Sequence, residues 1–172
     1  KIFLDLKLHD IPTTVHETIL GFHDCNIDML TVHLSGGEDM LKKAMLAAQT
    51  IGTQVIGVSI LTSLDESDSL TLFNSSLNDQ IVNLFKLAKK TKIDGIVCSP
   101  LELEVANRIL DSHSIKVIPG IRDILVDDDQ ARTMSAKGAI KKGATFLVIG
   151  RPITQASDIA LALKSFNNSI YE

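Results

Sequence analysis

The run Asp5-Leu6-Lys7-Leu8-His9-Asp10 sets an ammonium between two carboxylates within six residues. In a strand, residues i and i+2 project from the same face. Lys1, Phe3, Asp5 and Lys7 therefore share one face, and Ile2, Leu4 and Leu6 the other. The apolar set suits packing against helices, which turns the Asp5/Lys7 pair toward the interior of the sheet. Burying a carboxylate and an ammonium costs several kcal/mol each unless they are paired and hydrogen-bonded, so a pair kept there marks a site of charge or proton chemistry. Asp10 lies in the loop before a helix, stiffened by Pro12 and supplied with hydroxyls by Thr13 and Thr14. An acid near a helix N-terminus is also favoured by the macrodipole, and spacing does not separate the two readings. His9 and His33 have no partner histidine at metal spacing and read as structural residues.

A second cluster lies late in the chain. Pro119-Gly120-Ile121-Arg122 ends one strand-like run, Gln130 sits in the loop that follows, and Gly150-Arg151 ends the last such run. Glycine at 150 lets the backbone approach an anion closely, and arginine forks match phosphate oxygens. A helix starting near Ala156 adds a positive dipole end. The acidic run 127–129 reads as a solvated loop.

Short Val/Ile-rich runs at 2–6, 29–33, 54–60, 95–98, 116–119 and 146–149 alternate with stretches of helical periodicity at 15–23, 39–50, 77–90, 101–110, 136–142 and 156–166. Thr14 to Glu17 reads as a capping box, and Ser99-Pro100 as an N-cap followed by proline at the first helical position. Strict alternation implies parallel strands with helical crossovers. An open doubly wound sheet announces itself with a glycine-rich turn after its first strand, and residues 7–12 contain no glycine. Polar residues instead end several strands: Asp5, Lys7, His33, Thr62, Ser99, Arg122 and Arg151. That is the pattern of a (β/α)8 TIM barrel, whose loops after strands 7 and 8 often bind phosphate. A complete barrel typically needs ~250 residues. Residues 1–172 are expected to form a single barrel domain with six of the eight βα units, lacking the first two, because the chain opens at Lys1 directly in a strand-like run.

Composition sets the outer limits. Apolar residues make up 45% of the chain and charged residues 22%, which excludes disorder for its bulk. Polar residues interrupt every apolar run well short of the ~18 residues of a membrane span. A net charge of −4 without a basic run argues against nucleic acid. Cys25 and Cys98 form neither a metal spacing nor a disulfide scaffold, and the expected location is the cytoplasm.

The stretch Asp5-Leu6-Lys7-Leu8-His9-Asp10-Ile11-Pro12-Thr13-Thr14-Val15 resembles the signature of the orotidine 5′-phosphate decarboxylase family. Asp-x-Lys-x-x-Asp alone is shared with related sugar-phosphate barrels; the Ile-Pro-x-Thr-Val tail is the specific part. Leu61-Thr62-Ser63, Val97 through Glu102, Pro119 through Arg122, Asp128-Asp129-Gln130 and Val148 through Thr154 continue the resemblance to the bacterial branch, in order. It implies a homodimeric barrel that converts orotidylate to UMP and CO2 in pyrimidine synthesis, with no metal or cofactor. It further implies that Asp5 and Lys7 are the middle Asp and second Lys of a Lys-Asp-Lys-Asp array, with Lys7 protonating the product carbon. Asp10 is then the last Asp, reaching into the neighbouring subunit's site with Ile11 and Thr14 beside it. Thr62 meets the pyrimidine, Pro119 joins the substrate-binding set, and Arg122, Gln130, Gly150 and Arg151 hold the phosphate. The family's first Lys and its ribose-binding Asp belong to the first two strands, which this sequence does not contain. Ser135-Ala136 stands where the bacterial pattern has Thr-Pro, at a helix start away from the chemistry. Two alternatives remain: a metal-dependent phosphosugar lyase sharing Asp-x-Lys-x-x-Asp, and a truncated barrel that binds phosphate without turnover.

Overall fold

The computed structural model describes residues 1–122 and 134–171. Gln130 and the acidic run 127–129 lie outside the described residues. Among the described residues, six strands form one sheet: β1 (Phe3–Leu8), β2 (Met29–His33), β3 (Gln54–Val58), β4 (Gly95–Val97), β5 (Ile115–Ile118) and β6 (Phe146–Leu147). Their spatial order is β1-β2-β3-β4-β5-β6, and each pairs in parallel with the next. A doubly wound sheet reverses its strand order at a switch point; here the winding never reverses, which is how a (β/α)8 barrel is built. The described strands make up six units of such a barrel. β1 and β6 are its edges, and Ile2, Leu6, Phe146 and Val148 beside them are exposed.

The crossovers are helical: α1 (Pro12–Leu20), α2 (Gly37–Ile51), α3 (Glu66–Phe73), α4 (Leu77–Thr91), α5 (Leu103–Ile109), α6 (Ala136–Lys141), α7 (Arg151–Thr154) and α8 (Ile159–Tyr171). Both faces of the sheet are apolar. Leu30, Val32, Val55, Ile96 and Ile118 meet Ile19, Met40, Leu41 and Phe85 in the main core. Met29, Ile56 and Val117 form a smaller inner cluster with Phe3, Val97 and Ile115. Two-faced burial is why these strands read as near-continuous apolar runs rather than alternating ones.

Two local expectations change. Helix α1 begins at Pro12 with Ile11 as a cap that makes no side-chain bond, so Thr14 to Glu17 is not a capping box. Proline supplies the start, because its fixed φ suits the first helical position and its missing N–H is no loss there. Thr14 sits inside the helix, where its carbonyl accepts from the Thr18 hydroxyl at 2.7 Å. A capping box does form at Asp65/Asp68, where it opens α3. The final helix starts at Ile159 rather than 156, and the single turn α7 precedes it with Gly150 as its cap. Ser99 does cap its turn, its hydroxyl accepting from Leu101 N–H at 3.2 Å.

Candidate active site

Parallel strands bring their C-terminal ends to one rim, and β1 departs from regularity there. Phe3 pairs with Met29 and Leu4 with Leu30, but the next partners are Leu8 and Val32. Asp5, Leu6 and Lys7 thus stand opposite Thr31 alone, in a β-bulge. Lys7 carries the strain, with φ of +54°. This left-handed conformation costs a non-glycine residue about 1–3 kcal/mol and is held only where its surroundings over-determine it.

Three hydrogen bonds supply the hold. Lys7 N–H donates to Thr31 Oγ1 at 2.8 Å, the Thr31 hydroxyl donates to Asp5 Oδ1 at 2.9 Å, and Lys7 Nζ donates to Asp5 Oδ2 at 2.6 Å. Both carboxylate oxygens of Asp5 are thereby engaged. The pair does converge, but through the bulge rather than through simple strand alternation. It is not buried: the side chains of Lys7 and Asp5 are 38% and 47% exposed. An ion pair this open contributes no more than about 1 kcal/mol to stability, so its significance is where it places the ammonium.

A cleft of about 150 Å³ opens beside the pair. Asp5, Lys7, Thr62 and Pro119 line it together, above Phe3 and Val58. The loop carrying Thr62 is tied down near its start, where the Ser59 hydroxyl donates to the buried carboxylate of Glu102 at 3.0 Å. Nothing in the sequence near Thr62 announces that contact, which spans 43 positions.

Asp10, Ile11 and Thr14 are not part of this cleft. All three are exposed, Ile11 to 67%, and the Asp10 carboxylate accepts the N–H of Ile11 at 2.6 Å. Arg122 is buried just beyond β5 and donates to the Ile121 carbonyl at 2.9 Å. Its backbone N–H donates to Met134 O at 3.0 Å, so residues 122 and 134 lie side by side. Gly150 and Arg151 sit where α7 begins, and the Gly150 carbonyl accepts from Ile153 and Thr154. The helical turn beside Gly150 is therefore α7, not the longer α8. Among the described residues, no group of three or more His, Cys, Asp or Glu side chains is placed to hold a metal ion.

His9 and His33 stand at the same rim, their ring centroids 5.2 Å apart. Burial first, then the nearby His9 and Lys7, hold the His33 imidazole below its ordinary pKa of 6.5, against a smaller opposing pull from Asp5. In the unfolded chain the ring regains its ordinary value. Between the two pKa values the unfolded state binds more protons, so stability rises with pH and is lost as pH falls through that window. Melting curves of the wild type and His33→Asn from about pH 7.5 to 5 check this. The wild type loses more Tm on acidification than the variant; equal slopes would mean that His33 is not the responsible group. Cys98 is sealed under the rim, and burial, aided by Glu102, pushes its thiol far from ionisation at neutral pH.

Comparison with known proteins follows the same lines. The family model described as "Orotidine 5'-phosphate decarboxylase / HUMPS family" matches residues 1–166. The orotidine 5'-phosphate decarboxylase of Ehrlichia chaffeensis is 46% identical over 91% of this chain and 69% of its own length. That of Haemophilus ducreyi is 42% identical over 98% of the chain and 76% of its own length. The crystal structure of orotidine 5'-phosphate decarboxylase from Lactobacillus acidophilus superposes with a TM-score of 0.85 at 33% identity, covering 100% of this chain and 76% of that one.

Proposed function

The chain belongs to the orotidine 5′-phosphate decarboxylase / HUMPS family, and on that premise we propose that it converts orotidylate to UMP and CO2 with Lys7 as the proton donor. The observation that carries this reading is the Asp5–Lys7 contact, held in a strained bulge at the wall of a cleft that Thr62 and Pro119 also line. Loss of CO2 leaves a carbanion at C6 of the pyrimidine with no conjugated sink. An ammonium fixed beside that carbon stabilises the developing charge and then delivers a proton to it. Asp5 aims the ammonium, and Thr62 and Pro119 bound the space for the base.

The phosphate falls to Arg122, Gly150, Arg151 and Gln130, whose forks and backbone suit its oxygens. Remote binding energy of this kind is used to reach the transition state. Asp10, Ile11 and Thr14 serve the site of a second copy in a homodimer. Their exposure and their place outside this subunit's cleft support that assignment. The partners are then a nucleotide substrate and a second copy, with neither nucleic acid nor membrane; a cytoplasmic location fits the composition. Neither the metal-dependent lyase nor the non-catalytic barrel gains support from the relatives described above.

The test is turnover of orotidylate by the purified protein in the presence of a chelator. Release of one CO2 per UMP at an undiminished rate is expected; an absolute magnesium requirement would favour the lyase. Arg151→Ala tests the phosphate assignment. Loss of charge-assisted hydrogen bonds should cost about 1.5–3 kcal/mol, read as a raised KM for orotidylate with folding retained. Turnover of orotidine, which lacks the phosphate, should not suffer; an equal loss there would remove Arg151 from the phosphate site.

A further inference from the structure

We infer that Thr31 is a positioning residue for proton delivery by Lys7, an inference that rests on the reading of Lys7 given above. Its side chain is fully buried, on the strand next to the one that carries the reacting groups. The bulge leaves the part-buried Lys7 N–H facing Thr31, and a backbone donor turned away from water without a partner is disfavoured. The Thr31 hydroxyl accepts that N–H at 2.8 Å and donates its own O–H to Asp5 Oδ1 at 2.9 Å. One atom thus fixes both the backbone of the proton donor and the carboxylate that aims its ammonium. No apolar residue can do this, and the two contacts explain how Lys7 is kept at a positive φ without being glycine.

A hydroxyl in this position makes a sharper demand than packing does. Valine matches the shape of threonine but lacks the oxygen; serine keeps the oxygen and lacks the methyl group. Thr31→Val, Thr31→Ala and Thr31→Ser in the otherwise unchanged protein separate the two roles. If Thr31 positions Lys7, the valine and alanine variants lose about tenfold or more in kcat while KM stays near the wild-type value. Serine restores kcat to within about twofold, since it keeps both hydrogen bonds. Thermal melting of each variant shows whether the fold survives.

Wild-type kcat in Thr31→Val or Thr31→Ala would overturn the inference. So would a serine variant as poor as valine, because the methyl group would then be what matters. Failure of both hydroxyl-free variants to fold would make Thr31 a structural residue and overturn it equally. The outcome is distinct from failure of the Lys7 assignment. There Lys7→Ala itself retains turnover, whereas here Lys7→Ala is inactive and only the Thr31 variants behave as wild type.

Discussion

Lys7→Ala is expected to abolish decarboxylation while UMP still binds. Among the described residues, Lys7 supplies the one side-chain ammonium that lines the Asp5–Thr62–Pro119 cleft. The C6 carbanion has no internal stabilisation, so removing the cation takes away both the charge that lowers the barrier and the proton that completes the reaction. General acid assistance alone is worth about 10²–10⁴-fold, and the electrostatic contribution adds to it. On the proposed reading, binding of UMP rests chiefly on the phosphate contacts and on the other walls of the cleft, which the substitution leaves in place. The ion pair with Asp5 is half exposed, so its loss costs the fold little. Steady-state turnover and calorimetric titration with UMP check both halves of the result. Substantial residual turnover would remove Lys7 from the chemistry. Loss of UMP binding together with turnover would show that the substitution had damaged the site at large.

Asp10→Ala is expected to be as damaging, but for a reason that lies in the partner subunit. Asp10 is exposed beyond the end of β1, on a loop stiffened by Pro12. If it completes the site of a second copy, Lys7→Ala and Asp10→Ala proteins complement each other on mixing. In a mixed dimer one site carries both lesions and the other carries neither. Random exchange makes about half of the dimers mixed, an outcome of the two-fold symmetry of an isologous interface. Half of their sites are intact, so an equimolar mixture recovers about a quarter of wild-type activity. Mass measurement confirms exchange before the assay. Exchange without recovery would mean that Asp10 acts in its own subunit or not at all.

The winding of the sheet was open to reading because each strand and helix carries its own periodicity. The absence of glycine after the first strand also argued against a doubly wound sheet. Helix α3 carries no such periodicity. Leu70 and Leu72 are exposed and only Ser69 is buried, so there is no apolar stripe to detect. Its legible mark was the Asp65/Asp68 cap. At the site, Asp5 and Lys7 were recognisable as a pair, whereas the bulge was not. Left-handed backbone is normally signalled by glycine or asparagine, and Lys7 adopts it because of Thr31, 24 positions away. The exposure of the pair was equally hidden, since strand alternation gives a face but not whether that face is covered. His33 looked structural because no metal partner was spaced to it. What brings its ring beside His9 is the meeting of two strand ends, a tertiary fact. The capping box at Thr14 failed because Pro12 set the helix start first.

If Lys7 delivers the proton to C6, as proposed, the transfer runs in both directions and can be observed without any decarboxylation. UMP is incubated with the protein in D2O and the H6 resonance is followed by proton NMR. Wild-type protein should exchange H6 for deuterium well above the uncatalysed rate, and Lys7→Ala, with UMP bound, should not. Exchange by Lys7→Ala at the wild-type rate would contradict the assignment of Lys7 as the group that delivers the proton.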